Sequence, residues 1–336
     1  MLAVSSRPQK SHSYVNVSLP EPIYTRPVNA VPEVLARRRP RELTPVHFHR
    51  LAWWTVAWLV LIVATGATVR LTGSGLGCEH WPGCQPNVFF PERGYHSDVE
   101  FSNRVVASLT VLTTLMLAVG ALRTRGLGRN VRLVAWLVFV GTLAQAPLGA
   151  ITVRYHLNPW LVIVHLLLSL VVLGLGVVVL LEATRFVRGG SAALPTHVRV
   201  AGAALLAAVA VLVVTGTLAT AAGPHPGSVA VRRIGSFEPS VSLHVRATAA
   251  FGIVFLVLAV WSWRERMRFP WLVRGCAGLL ALLLTQMAIG ETQYRTSLPW
   301  WLVLVHVTVA ACVFGWTVGL VARLWRPVAP AAVSGN

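Results

Sequence analysis

The fold of this chain is decided by a stretch that occurs twice. Residues 145–165 read QAPLGAITVRYHLNPWLVIVH, and residues 286–306 read QMAIGETQYRTSLPWWLVLVH. Aligned without gaps at an offset of 141, nine of the 21 positions are identical. The same offset places Asn103 on His244, so each half of the chain has a polar residue followed 62 residues later by a histidine. This regularity indicates a duplicated structural unit.

The composition is that of a membrane protein. Of the 336 residues, 55% are hydrophobic and only 12% are charged. The formal net charge of +18 would suggest nucleic-acid binding in a soluble protein. Here the arginines are concentrated in short loops between apolar runs, so the positive-inside rule accounts for them and we expect no nucleic-acid partner.

Eight apolar runs are long enough to cross a bilayer of roughly 30 Å. They cover about 51–70, 103–122, 132–152, 160–181, 199–221, 242–263, 271–291 and 300–323. The loops at 123–132, 182–199 and 264–274 are basic, whereas the alternate loops are poorer in arginine. We therefore predict an all-α integral membrane protein of two duplicated four-helix bundles, with both termini cytoplasmic.

The predicted organisation has four parts. A proline-rich, disordered cytoplasmic tail covers 1–45, the N-terminal half covers 46–190, the C-terminal half covers 191–326, and a short tail covers 327–336. The first tail has no apolar core of a secretory signal, and a cleaved organellar transit peptide is the alternative.

Three histidines are predicted inside membrane helices, all near the outer ends of even-numbered helices. A histidine there is a candidate functional residue, and a helix–helix hydrogen bond is the alternative. A zinc site would need further ligands at the same depth, whereas a haem iron needs only two axial ligands. His244 and His306 therefore indicate the two ligands of a b-type haem in the C-terminal half.

The N-terminal half departs from this pattern, because His165 is matched with Asn103, a poor iron ligand. An iron held there by one protein side chain would have an open face, which suits a reacting haem. Glu100 precedes Asn103 by three residues, one helical turn away. Its carboxylate could accept a proton or stabilise positive charge, and an ordinary interfacial glutamate is the alternative.

Other polar residues match across the repeat. Arg154 and Arg295 could bind haem propionates or could be interfacial side chains that reach the membrane surface. Gln145 and Gln286 could contact a cofactor or could hydrogen-bond across the bundle.

The first outer loop contains the most specific string, TGATVRLTGSGLGCEHWPGC at residues 65–84. Cys78 and Cys84 lie six positions apart on the side where thiols oxidise, so a disulfide is plausible, and a metal pair or a redox-active dithiol is the alternative.

This string, the segment EFSNR at 100–104 and the order of the three histidines resemble the haem A synthase family over roughly residues 50–325. The resemblance implies an oxidoreductase that converts the C8 methyl group of haem O to the formyl group of haem A by successive hydroxylations with oxygen from water. It implies that His244 and His306 bind haem b, and that His165 binds haem O.

The resemblance also assigns roles in the outer loop and the substrate pocket. Glu100 matches a functional glutamate, Cys78 and Cys84 match a cysteine pair, and Arg104 joins Asn103 in the pocket. Arg70 is a further candidate for propionate binding. Many family members have histidine at the position of Asn103, so the substrate haem is expected to be ligated differently here.

The expected partners are a haem O synthase as supplier, a terminal oxidase as recipient of haem A, an unidentified electron acceptor, the lipid bilayer and a second copy of the chain. The expected location is the bacterial cell membrane, with the mitochondrial inner membrane as the alternative. Two rival functions are a b-type cytochrome that only transfers electrons and a transporter built from duplicated helices.

Overall fold

The computed structural model describes residues 42–328, apart from 79, 82, 86–88, 92–93, 192–193, 229–230 and 232. The predicted tail at 1–45 lies outside this range except for its last four residues. Of the tail at 327–336, only the first two residues are described.

The described chain folds into eight long α-helices. Their bounds are α1 Pro45–Leu71, α2 Tyr95–Arg123, α3 Arg129–Arg154, α4 Pro159–Arg188, α5 Thr196–Ala222, α6 Phe237–Arg264, α7 Pro270–Arg295 and α8 Trp300–Trp325. Each is long and apolar enough to cross a membrane. The prediction of eight membrane-spanning helices is thereby confirmed, and the architecture is typical of a multi-pass membrane protein.

Five helices begin three to eight residues before the corresponding apolar run, and capping side chains or prolines mark the start of some of the eight helices. In α1, the Thr44 hydroxyl accepts a hydrogen bond from the backbone of His47, and Pro45 occupies the first turn. In α4, the Asn158 side chain accepts from the backbone of Trp160. The early start of α2 places Glu100 within the helix.

The helices pack in a simple order. Within α1–α4, each helix contacts the next and α4 returns to α1; the same holds for α5–α8, where α8 returns to α5. The two groups meet mainly where α8 packs on α4 and α1. Small residues allow this approach: a methyl group added at Gly174 would lie 3.3 Å from the Phe314 ring, and one at Gly319 would lie 3.2 Å from Val177.

We call the end of the molecule that carries the loops 72–94, 155–158, 223–236 and 296–299 the disulfide end. There the two groups are joined by buried polar contacts. Arg70 of α1 donates from Nε to the His225 carbonyl (3.1 Å) and from Nη2 to the Thr220 carbonyl (3.0 Å). His225 in turn donates from Nε2 to the carbonyl of Leu298 at 2.8 Å. The side of the membrane that this end faces stays a prediction.

Candidate functional site

A cavity of about 430 Å³ opens among α1–α4 near the disulfide end, within the size range of small-molecule sites. The side chains of Glu100, Asn103 and His165 line it, together with Arg70 and Arg104. Four of these residues lie on α1 and α2, while His165 faces them from α4. The structure therefore brings five of the residues predicted from sequence to one place.

Glu100 is the most enclosed charged residue of this cavity, with only 5% of its surface exposed. Its Oε2 accepts a hydrogen bond from the backbone N–H of Cys78 at 2.9 Å. Its Oε1 accepts from Nη2 of Arg104 at 2.6 Å, one helical turn along α2. These donors hold the carboxylate in one orientation while it still faces the cavity.

The loop that holds Glu100 is closed by a disulfide between Cys78 and Cys84, both fully buried. The predicted disulfide is therefore present in the structure. Arg104 also binds this loop, because its Nη1 donates hydrogen bonds to the carbonyls of His80 (2.7 Å) and Gly83 (2.6 Å). The disulfide, Arg104 and Glu100 form one connected unit over the cavity.

Asn103 lies one turn further along α2. Its Oδ1 accepts a hydrogen bond from the hydroxyl of Thr65 in α1 at 2.8 Å. The neighbouring Gly66 also lines the cavity, and a methyl group added to it would meet no atom within 4 Å. The short side chain of Asn103 therefore leaves open space beside α1.

His165 reaches the cavity from the opposite side, on α4. Its ring lies against Gly149 of α3, where an added methyl group would be 3.7 Å from Cε1. Its Nδ1 is buried and has no hydrogen-bond partner. An enclosed imidazole next to a cavity could ligate a bound iron.

The two histidines of the C-terminal half are placed in a similar way. His244 of α6 packs against Gly216 of α5, and His306 of α8 packs against Gly290 of α7, where added methyl groups would lie 3.0 Å and 3.2 Å from the respective Cε1 atoms. The His306 carbonyl accepts a hydrogen bond from Nε2 of Gln286 at 2.9 Å. Nδ1 of His306 is buried without a partner.

The hydrogen bond of His244 favours metal binding through its other nitrogen. Nδ1 lies 3.2 Å from the hydroxyl oxygen of Thr215. That hydroxyl already lies 3.0 Å from the carbonyl oxygens of Val211 and Leu212, which can only accept. The Thr215 oxygen is thus best placed to accept from Nδ1–H, which leaves the Nε2 lone pair for a metal.

Sequence reasoning missed the two threonines. Thr65 and Gly66 stand beside Asn103, just as Thr215 and Gly216 stand beside His244. The two Thr-Gly pairs are 150 residues apart, whereas the repeat was aligned at 141, so an ungapped comparison does not match them. A search that allowed a gap would have found this signal.

The remaining candidates lie elsewhere. Arg154 and Arg295 are exposed, neither lines the cavity, and Arg295 pairs with Glu291 on its own helix. Their role in propionate binding stays a prediction. Among the described residues, no cluster of three or more His, Cys, Asp or Glu side chains could hold a metal ion by itself. Paired histidines on separate helices instead fit a haem, which supplies four ligands to its own iron.

Comparison with known proteins places this arrangement in context. A family model described as "Cytochrome oxidase assembly protein", COX15-CtaA, matches residues 49–93 and 95–226, more than half of the chain. A haem A synthase of Geobacillus kaustophilus is 27% identical over 277 residues, which cover 78% of this chain and 86% of that protein.

Two other matches are shorter. A haem A synthase of Lysinibacillus sphaericus is 33% identical over 129 residues, 37% of this chain and 42% of that protein. A protohaem IX farnesyltransferase of Thermus thermophilus is 35% identical over 105 residues, 31% of this chain and 17% of that protein. These two alignments span less than half the length of the relatives that they match.

Proposed function

The chain belongs to the cytochrome oxidase assembly protein family COX15-CtaA, that of the haem A synthases, and on this premise we propose that it is itself a haem A synthase. Its substrate is haem O and its product haem A, made by oxidising the C8 methyl group to a formyl group. The observation that carries this proposal is the cavity that combines His165 with the doubly anchored carboxylate of Glu100.

The N-terminal half binds the substrate. His165 ligates the iron of haem O through its cavity-facing imidazole, and Asn103 leaves the opposite face without a strong ligand. Arg70, near the disulfide end, supplies positive charge for the propionates, while Arg104 pairs with Glu100. The apolar walls of α1–α4 hold the macrocycle and exclude bulk water.

Glu100 acts as the proton acceptor. Each hydroxylation of the methyl group takes its oxygen from water and releases two electrons and two protons; after the second, loss of water gives the formyl group. The carboxylate is fixed by Cys78 and Arg104, so it needs no reorientation to receive a proton.

In the C-terminal half, His244 and His306 would hold haem b. When bound, this group would supply one-electron redox chemistry. The protein contributes two imidazoles on separate helices; Thr215 orients the ring of His244, and Gln286 bonds the backbone carbonyl of His306. The glycines opposite both rings provide the necessary room.

The proposal extends to the arrangement and setting of the protein. We infer two duplicated four-helix bundles (46–190 and 191–326), with the disulfide end on the outer side of a bacterial cell membrane. A haem O synthase supplies the substrate and a terminal oxidase receives the product. The electron acceptor is a separate partner.

The test is turnover of haem O by purified protein, with chromatography of the extracted haems. Wild-type protein should form hydroxylated haem and haem A. Glu100→Gln keeps the shape of the side chain but removes its basicity, and should lower turnover about 100-fold or more while protohaem stays bound. Glu291→Gln is the matched control, because Glu291 also pairs with an arginine four residues on but is exposed. Full activity of Glu100→Gln would exclude this role.

A further inference from the structure

Gln145 has an unusual environment in α3. It lines the cavity of the N-terminal half, and both polar atoms of its amide, Oε1 and Nε2, are buried without a hydrogen-bond partner. A buried amide that forms no hydrogen bond is destabilising, and native proteins contain few of them. Such a group in a cavity wall indicates that a ligand supplies the missing partner.

Neighbouring polar groups do not share this property. The hydroxyl of Thr142 donates to the Val138 carbonyl, and that of Ser169 donates to the His165 carbonyl, both at 2.8 Å. Gln286, which matches Gln145 in the duplicated stretch, donates from Nε2 to the His306 carbonyl at 2.9 Å, although its Oε1 is unpaired. Among these four residues, only Gln145 leaves its hydrogen-bonding capacity wholly unused.

The depth of Gln145 narrows the choice of ligand group. Gln145 precedes Gly149 by one helical turn, and Gly149 faces the ring of His165. Since α3 runs toward the disulfide end, Gln145 lies about 6 Å farther from that end than this contact does, by the rise of four helical residues. Arg70 lies at the opposite, disulfide end of the cavity. A haem with propionates directed to that end turns its other edge toward Gln145.

We propose that Gln145 recognises the hydroxyl group on the farnesyl-bearing side chain of haem O, and so selects haem O over protohaem. This rests on the proposed function. In protohaem a vinyl group occupies that position, which can neither donate nor accept a hydrogen bond. The hydroxyl can do both, and so pairs with either atom of the Gln145 amide.

Selection of this kind suits a protein with two haem sites. Protohaem would leave the buried amide of Gln145 unpaired, and sites built to bind a hydroxyl group discriminate strongly against analogues that lack it. A purely apolar pocket for the farnesyl chain would strengthen the binding of haem O but would hardly weaken the binding of protohaem. Gln145 is therefore a specificity-determining residue of the substrate cavity.

The experiment compares haem selectivity without relying on turnover. Purified wild-type, Gln145→Leu and Gln145→Met proteins, each with its haem b in place, are titrated with haem O and with protohaem, and binding is followed by absorption. Both variants should lose the preference for haem O by about tenfold or more, because haem O loses its hydrogen bond and protohaem no longer leaves a buried amide unpaired. Gln293→Leu is the control, because Gln293 also has a buried unpaired Oε1 but does not line the cavity.

The outcomes separate the two proposals. An unchanged preference in both Gln145 variants, or equal weakening for both haems, would overturn the role of Gln145 while leaving haem A synthesis intact. A wild-type protein that neither prefers nor converts haem O would instead contradict the proposed function. Retained haem b absorption identifies variants that are folded.

Discussion

The backbone N–H of Cys78 lies 2.9 Å from Oε2 of Glu100, so the disulfide loop directly orients the carboxylate of the proposed reaction. Cys78 is fixed in turn by its bond to Cys84. The loop is therefore a positioning element of the site, and its oxidation state is linked to the geometry of Glu100.

Replacing both Cys78 and Cys84 by serine should lower turnover without removing haem b. The backbone donor remains, but the loop gains conformational freedom, and closure of a loop this short contributes about 2 kcal/mol. Turnover of haem O and the protohaem content measure the two effects. Cys312→Ser serves as control, because Cys312 is a free cysteine of α8. Unchanged turnover in the double variant would show that the loop holds Glu100 without the disulfide.

Asn103→His should supply a second imidazole to the substrate haem. The open space beside Gly66 corresponds to the space that His244 fills beside Gly216. The haem O-loaded variant should therefore show the low-spin electron paramagnetic resonance signal of two imidazole ligands, which the wild-type N-terminal site should lack. His244→Asn is the reciprocal change. It removes one imidazole from the haem b site, so haem b should lose the low-spin signal of two imidazole ligands. Identical wild-type and Asn103→His spectra would contradict an open iron face.

Three glycine-to-alanine variants should show graded effects on haem binding. The added methyl group would lie 3.0 Å from the His244 ring in Gly216→Ala, 3.2 Å from His306 in Gly290→Ala and 3.7 Å from His165 in Gly149→Ala. The first two displace an imidazole, at a cost of about 1–3 kcal/mol, whereas the third makes an ordinary contact. Protohaem content should fall only in the first two variants. Loss in Gly149→Ala alone would contradict the assignment of the two sites.

Arg70→Gln should lower the Tm of the detergent-solubilised protein. The side chain donates to the carbonyls of Thr220 and His225, and its truncation leaves two enclosed acceptors without this charged donor, at about 1–3 kcal/mol each. Differential scanning fluorimetry measures the change. Arg154→Gln is the control, because Arg154 is exposed and should leave the Tm unchanged. Equal Tm values for all three proteins would show that the contact adds no stability.

Apolar runs were sufficient to predict the eight helices, because membrane spans need about twenty apolar residues and their loops are polar. The disulfide of Cys78 and Cys84 followed from spacing and from the family resemblance. Tertiary contacts were not predictable in this way. The bond from Thr65 to Asn103 depends on the register of α1 against α2. The bond from Arg70 to Thr220 depends on how the ends of α1 and α5, 150 residues apart in sequence, meet. The duplication itself and the orientation in the membrane stay predictions.

The central claim is that the N-terminal half binds the substrate haem and the C-terminal half binds haem b. It is tested most directly by the haem content of two variants, His165→Ala and His306→Ala, purified from cells that also make haem O. Extracted haems are separated by chromatography. His165→Ala should keep protohaem and lose haem O and its oxidised products, whereas His306→Ala should lose protohaem. The opposite pattern, or a folded wild-type protein that contains no haem, would contradict the assignment of His244 and His306 to haem b and of His165 to the substrate.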